Sequence, residues 1–153
     1  ADSQVASRWG NILEFQGFDL ITPNEREARF ALGDQDSTVR PLALELYKAA
    51  HCKYLILKMG ERGMITYREP SPQVRAFFTV DALTSNVVDA VGAGDALLAY
   101  ATVSLVVSKC IVTASILGGI AASLACERDG NTPIDPDDVL GRLEHIERQV
   151  NYQ

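Results

Sequence analysis

The segment Asp89-Ala90-Val91-Gly92-Ala93-Gly94-Asp95 runs directly into an uncharged apolar stretch, Ala96 to Val107. Paired glycines let a backbone fold tightly at a helix entrance. Several amide N–H groups then point outward with no internal partner, and the helix dipole adds partial positive charge. Such a pocket suits an anionic oxygen, above all one whose charge grows during a reaction. Asp95 stands at its mouth, where a carboxylate can take a proton from a hydroxyl. On spacing alone a plainer reading stays open: the glycines make a loop, and Asp95 decorates the first turn of a helix.

Other chemistries lack their residues. No G-x-x-x-x-G-K-[ST] loop occurs, no G-x-S-x-G elbow, and Leu97 stands where a dinucleotide fingerprint needs its third glycine. Cys52, Cys110 and Cys126 are 58 and 16 residues apart, and His51 and His145 are remote from one another. That is neither zinc spacing nor a disulfide framework, so reduced thiols of a cytoplasmic protein are expected. With 14 basic and 20 acidic side chains the net charge is 14 − 20 = −6. That balance disfavours nucleic acid and anionic lipid as partners, without excluding a small anion held by backbone dipoles.

The elements that must position these residues follow from periodicity. Phe18 to Ile21, stopped by Thr22-Pro23, reads as a buried strand. Asn24 can cap a helix that carries Glu25 and Glu27 in its first turn and ends at Leu32-Gly33. Asn24 and Glu27 also make up a capping box, so by themselves they read as helix punctuation. Residues 3–15 look helical, with weak periodicity. Val39 to Ala50 repeats Leu42, Leu46 and Ala49 at helical spacing, and Tyr54 to Leu57 is the unbroken apolar run of a parallel strand. Gly60 and Gly63 bound a turn, with Met64 to Tyr67 returning as a hairpin and Val74 to Phe78 as a further strand. Ala96 to Cys126 holds one charge, Lys109, but its uncharged 17-residue run is broken by Gly118-Gly119. A membrane span wants about 20 apolar residues, so this stretch is expected to be two buried core helices. A polar amphipathic helix then runs from Asp135 to near Val150. The expectation is one domain over residues 1–153: α/β, three-layered, with a mainly parallel sheet and helices at 39–50, 96–107 and 111–125.

Three segments in this order resemble the C-terminal half of ribokinase-like (PfkB family) carbohydrate kinases: ITPNEREARFALG at 21–33, LKMGERGM at 57–64 and VVDAVGAGDALLAY at 87–100. Through FQGFDLITPNEREA and ERGM the flavour is that of bacterial heptose-phosphate kinases of the lipopolysaccharide pathway. The resemblance implies a ribokinase-like fold and transfer of a phosphoryl group from ATP to a sugar or sugar-phosphate hydroxyl. It implies Asp95 as the catalytic base and Gly92, Ala93 and Gly94 as the anion hole. Asn24 and Glu27 match the NxxE motif that organises Mg2+ and phosphate, Glu27 through water. Gly60 and Gly63 match the turn the nucleotide approaches, and Asp89 the acid that opens the loop beside a monovalent-cation site.

Departures from the family pattern are Ala90 for Thr, Gly119 near an adenine-holding Asn, and Gln4 where heptose-kinase relatives often carry Lys. The N-terminal sugar-binding half has no counterpart, so the chain is expected to act as an incomplete fragment. Its cut sheet edge invites a homodimer or other self-association. The alternative is a non-catalytic nucleotide- or phosphate-binding module of a larger assembly.

Overall fold

A computed structural model describes residues 1–2 and 10–151, so Gln4 lies outside the described residues. Of the helical segment expected at 3–15, Ile12–Phe15 is a 3-10 turn capped by Asn11, whose Oδ1 accepts from Leu13 N at 2.9 Å. The chain divides into two compact units, Ala1–Asp81 and Ala82–Gln153.

In the first unit, strand β1 (Leu20–Ile21) leads through helices α1 (Glu25–Leu32) and α2 (Val39–Ala50) to β2 (Tyr54–Lys58), then β3 (Met64–Arg68) and β4 (Phe77–Val80). The sheet order is β1-β2-β3-β4. β1 and β2 pair in parallel, Leu20 opposite Tyr54, because two helices supply the crossover that parallel pairing needs. The expectation of a mainly parallel sheet holds only there. β2–β3 and β3–β4 are antiparallel, with Ile56 opposite Thr66 and Thr66 opposite Phe78. The physical reason is the connections: 59–63 and 69–76 are too short for a crossover, so the chain can only turn back.

The sequence-expected strand at 74–78 begins later, at Phe77. A tight turn uses the backbone of Val74, whose N donates to Ser71 O at 3.0 Å while Ser71 N donates to Val74 O at 3.1 Å. Ile21, Leu55, Leu57, Ile65 and Tyr67 pack with Ala28, Leu42, Ala43, Leu46 and Ala50 in one core. Ile56 and Thr66, on the other face of the strands, are fully buried as well. The central strand is thus buried on both sides, as its unbroken apolar run predicts. Each large aliphatic side chain sunk here stabilises by about 1.5–3 kcal/mol relative to exposure.

The second unit is helical: α3 (Ala93–Ser108), α4 (Ile111–Cys126) and α5 (Pro136–Asn151). Lys109-Cys110 turns α3 into α4, and Gly118 lets the two backbones approach closely. A Cβ on Gly118 would meet Leu97 O at 2.9 Å and Ala101 Cβ at 3.1 Å. α4 is a core helix, burying Ala114, Gly118, Gly119, Ile120, Ala121 and Leu124 among others. α3 is only half of what the sequence suggests: Leu97 and Ala101 are buried, but Val103, Val106 and Val107 are 64%, 62% and 79% exposed. It is apolar on every side, so its composition cannot say which side packs. α5 lays Val139, Leu143 and Ile146 against Ile120, Ala121 and Leu124. Among the described residues no helix is long and apolar enough to cross a membrane.

Candidate functional site

The motif at 89–95 forms a laced turn. Val88 N and Asp89 N both donate to Cys126 O at the end of α4, at 2.7 and 3.1 Å. The Asp89 carboxylate accepts from Val91 N through Oδ1 at 3.0 Å and from Gly130 N through Oδ2 at 3.3 Å. Asp89 therefore ties the turn to the loop after α4. Gly92 follows at φ 82° and ψ −11°, left-handed backbone that glycine adopts without a Cβ penalty. α3 begins one residue later, at Ala93, not at Ala96 as the apolar run suggests. Ala93, Gly94 and Asp95 are consequently its first three helical residues, whose N–H groups have no i−4 carbonyl within the helix. Ala93 N reaches Ala90 O at a long 3.3 Å, and no side chain caps the helix. Asp95 is exposed in that same turn.

The first unit holds the other sequence-predicted residues. Asn24 precedes α1 and forms a reciprocal capping box: Glu27 N donates to Asn24 Oδ1 at 2.9 Å, and Asn24 N donates to Glu27 Oε2 at 2.7 Å. Glu27 is only 6% exposed. Burial pushes its carboxyl above the usual range, against the Asn24 N–H and the charge of Lys58. Asn24 also bridges Lys58, extending the β1–β2 ladder by one step. Lys58 Nζ lies 2.9 Å from Asp2 Oδ2. Asp2 Oδ1 is buried with no partner among the described residues.

Gly60 and Gly63 make the β2–β3 turn, Gly63 N donating to Gly60 O at 3.0 Å and Met59 N to Gly63 O at 2.8 Å. Gly63, at φ 77° and ψ −129°, occupies backbone space that excludes other residues. Glu25 beside this turn pairs with both Arg29 and Arg62. The Arg29 hydrogen bond, ahead of the Arg62 charge, holds its carboxyl below the usual range.

Each unit thus gathers its own set: Asn24, Glu27, Gly60 and Gly63 in the first, Asp89 and Gly92 to Asp95 in the second. Sequence reasoning passed over Lys58, Asp2 and Asn131. Lys58 had a signal, as the charged end of an otherwise apolar strand. Asn131 had none, since only folding brings it to Gly92. Gly119, a departure from the family pattern, is buried in α4.

Among the described residues no three His, Cys, Asp or Glu side chains gather where a metal ion could be held. The oxygen donors of Asn24 and Glu27 are of the kind a hard divalent cation takes, together with phosphate oxygens and water. Cys52, Cys110 and Cys126 form no disulfide among the described residues, and burial pushes the Cys52 thiol up to about 11, far from reactivity.

Residues 3–138 match the model of the pfkB family carbohydrate kinases. The chain belongs to that family. The bifunctional protein HldE of Aeromonas hydrophila is 28% identical over 141 residues, covering 91% of this chain and 29% of that protein. The structure of phosphofructokinase-2 from Escherichia coli in complex with potassium superposes with a TM-score of 0.75 at 20% identity, over 88% of this chain and 43% of that one. Arabidopsis thaliana ribokinase complexed with ribose and ATP superposes at 0.69 with 26% identity, over 82% of this chain and 41% of that one. The pfkB chain thus has the α/β fold of ribokinase-like kinases. It spans less than a third of the curated relatives it matches and less than half of these kinase structures.

Proposed function

We propose that residues 1–153 are the nucleotide- and phosphate-handling half of a carbohydrate kinase that moves the γ-phosphoryl group of ATP to a hydroxyl of a sugar or sugar phosphate. The observation that carries this reading is the open start of α3. Its first-turn donors lack a side-chain cap, and a carboxylate stands in the same turn. Membership of a carbohydrate kinase family supports it. A sugar phosphate as acceptor is favoured by the resemblance of residues 15–28 to heptose-phosphate kinases.

In this reading Asp95 accepts the proton of the attacking hydroxyl. That oxygen bonds to the γ-phosphorus as the bond to the β–γ bridging oxygen breaks, and ADP leaves. The N–H groups of Gly92, Ala93 and Gly94 meet the charge gathering on the phosphoryl oxygens, which is most of what such a transfer requires. Asp89 keeps the turn rigid through Val91 and Gly130, and a monovalent cation beside it would add charge to the same end. Gly60 and Gly63 let backbone approach the nucleotide. Asn24 and the second oxygen of Glu27 would orient water around Mg2+, which when bound neutralises phosphate charge. The reaction is one of the cytoplasm, where ATP is abundant.

The non-catalytic alternative has one observation in its favour: Asn24 and Glu27 already spend polar atoms on each other. The test is calorimetric titration of the chain with ATP and magnesium, followed by an assay for sugar-dependent ADP release with the N-terminal half of a family kinase supplied. ATP binding with transfer that Asp95→Asn abolishes, its ATP affinity intact, upholds the kinase reading. ATP binding with no transfer under any supply of the missing half favours the binding module. Absence of ATP binding defeats both. The chain alone should phosphorylate sugars hardly at all, since orienting the acceptor is worth about 7–11 kcal/mol of the barrier.

A further inference from the structure

The loop after α4 comes back to the glycine turn at two adjacent residues. Gly130 N donates to Asp89 Oδ2 at 3.3 Å, which fixes the loop beside the turn. Asn131 then lies against Gly92: a Cβ built on Gly92 would stand 2.2 Å from Asn131 Oδ1 and 3.0 Å from its Cγ. Such separations are far inside van der Waals contact, so the amide occupies the space a side chain at 92 would need. Glycine is favoured there by φ 82°, and any side chain at 92 would in addition have to displace the Asn131 amide from where it lies.

Asn131 is exposed, so burial in a core does not explain this placement. Its shape and charge do. Aspartate would have the same outline but would set a negative charge beside the uncapped donors of α3. A smaller residue would leave the turn unbraced on that side. Asparagine is flat, polar and neutral.

We propose that Asn131 is a positioning residue of the phosphate site, bracing the Gly92 turn with a side chain that adds no charge beside the donors of Ala93, Gly94 and Asp95. The inference rests on reading the start of α3 as the phosphate site, and its test separates the two.

ATP is titrated calorimetrically into the wild-type chain, Asn131→Asp and Asn131→Gly at low and at moderate salt. Asn151→Asp, a charge change at the end of α5, serves as control. Asn131→Asp should weaken ATP binding about tenfold at low salt, as a like charge within a few ångströms of phosphate would. The loss should shrink as salt screens it, while the unfolding temperature stays near that of wild type. That salt dependence reports the charge the wild-type amide avoids, while Asn131→Gly, which adds no charge, reports the brace and should weaken ATP binding by an amount that salt leaves unchanged. Asn151→Asp should bind as wild type does.

A thermal double-mutant cycle tests the packing itself. Gly92→Ala should lower the unfolding temperature more in the wild-type background than in Asn131→Gly, where only the φ cost remains. Wild-type affinity in Asn131→Asp, or equal cost of Gly92→Ala in both backgrounds, overturns the inference while leaving the phosphate site standing. Failure of the wild-type chain to bind ATP overturns both.

Discussion

Helices α1 and α3 begin in opposite ways. α1 is closed by its own side chains: Asn24 caps Glu27 N, and the Glu27 carboxylate returns to Asn24 N. α3 starts from Gly92, which has no side chain to offer, so its first turn has no side-chain cap and Ala93 N has only a long bond to Ala90 O at 3.3 Å. A polar cap is worth about 1 kcal/mol, which α1 keeps and α3 forgoes. What holds α3 instead is distant in sequence: the close approach of α4 at Gly118, the tether from Asp89 to Gly130, and Asn131 on Gly92. The difference teaches that a helix start becomes available to a ligand when packing, and not a cap, does the stabilising.

The largest expected effect comes from attacking that packing. Gly118→Val puts a branched side chain where Leu97 O would be 2.9 Å from its Cβ. Overpacking of this kind costs about 1–3 kcal/mol. Hydrogen exchange should then quicken across α3 and α4 while the β2 amides keep their protection. Equal loss in both units would erase the distinction between the two helix starts.

Next is Asp89→Ala, which strands Val91 N and Gly130 N. Bonds to a charged acceptor are worth about 1.5–3 kcal/mol when buried. These groups are partly solvated, so the expected loss in urea unfolding is about 1–2 kcal/mol. Asp89→Asn should recover part of it.

Asn24→Ala should cost about 1 kcal/mol, seen as a fall of roughly 3 °C in unfolding temperature for a chain of this size. Asn24→Ser should restore most of that loss. If ATP affinity also falls in Asn24→Ala and returns in Asn24→Ser, the closed start of α1 serves the ligand as well as the helix.

The smallest effect concerns Glu27. Its carboxyl is raised in the folded chain by burial. The folded state therefore holds the proton more tightly than the unfolded one, and Glu27 adds stability as pH falls from neutral through its raised value toward the ordinary carboxylate range. Glu27→Gln can still accept from Asn24 N without the buried charge. At neutral pH the variant should match or exceed wild type by a few tenths of a kcal/mol, on the order of a modest burial penalty. That gap should close on acidification. A gap that widens instead would mean Lys58 outweighs burial at this site.

Local rules carried a good part of this protein. The capping box of Asn24 and Glu27, the hairpin at Gly60–Gly63, the strand at 54–58 buried on both faces, and the glycine turn before a long helix are all readable from neighbouring residues. Each depends on contacts within a few positions, or on a composition that only one environment satisfies. The ordered segments at 21–33, 57–64 and 87–100 likewise pointed to the carbohydrate kinase family that the chain belongs to.

Tertiary structure decided the remainder. The sides of α3 could not be told apart, because Val103, Val106 and Val107 are as apolar as Leu97 and only packing buries one set. β4 starts at Phe77 because Ser71 and Val74 turn on one another. Asp89 finds Gly130, and Gly92 finds Asn131, across about forty residues of chain. Nothing local encodes those meetings; they exist because α3 and α4 pack closely enough at Gly118 to bring the two loops together.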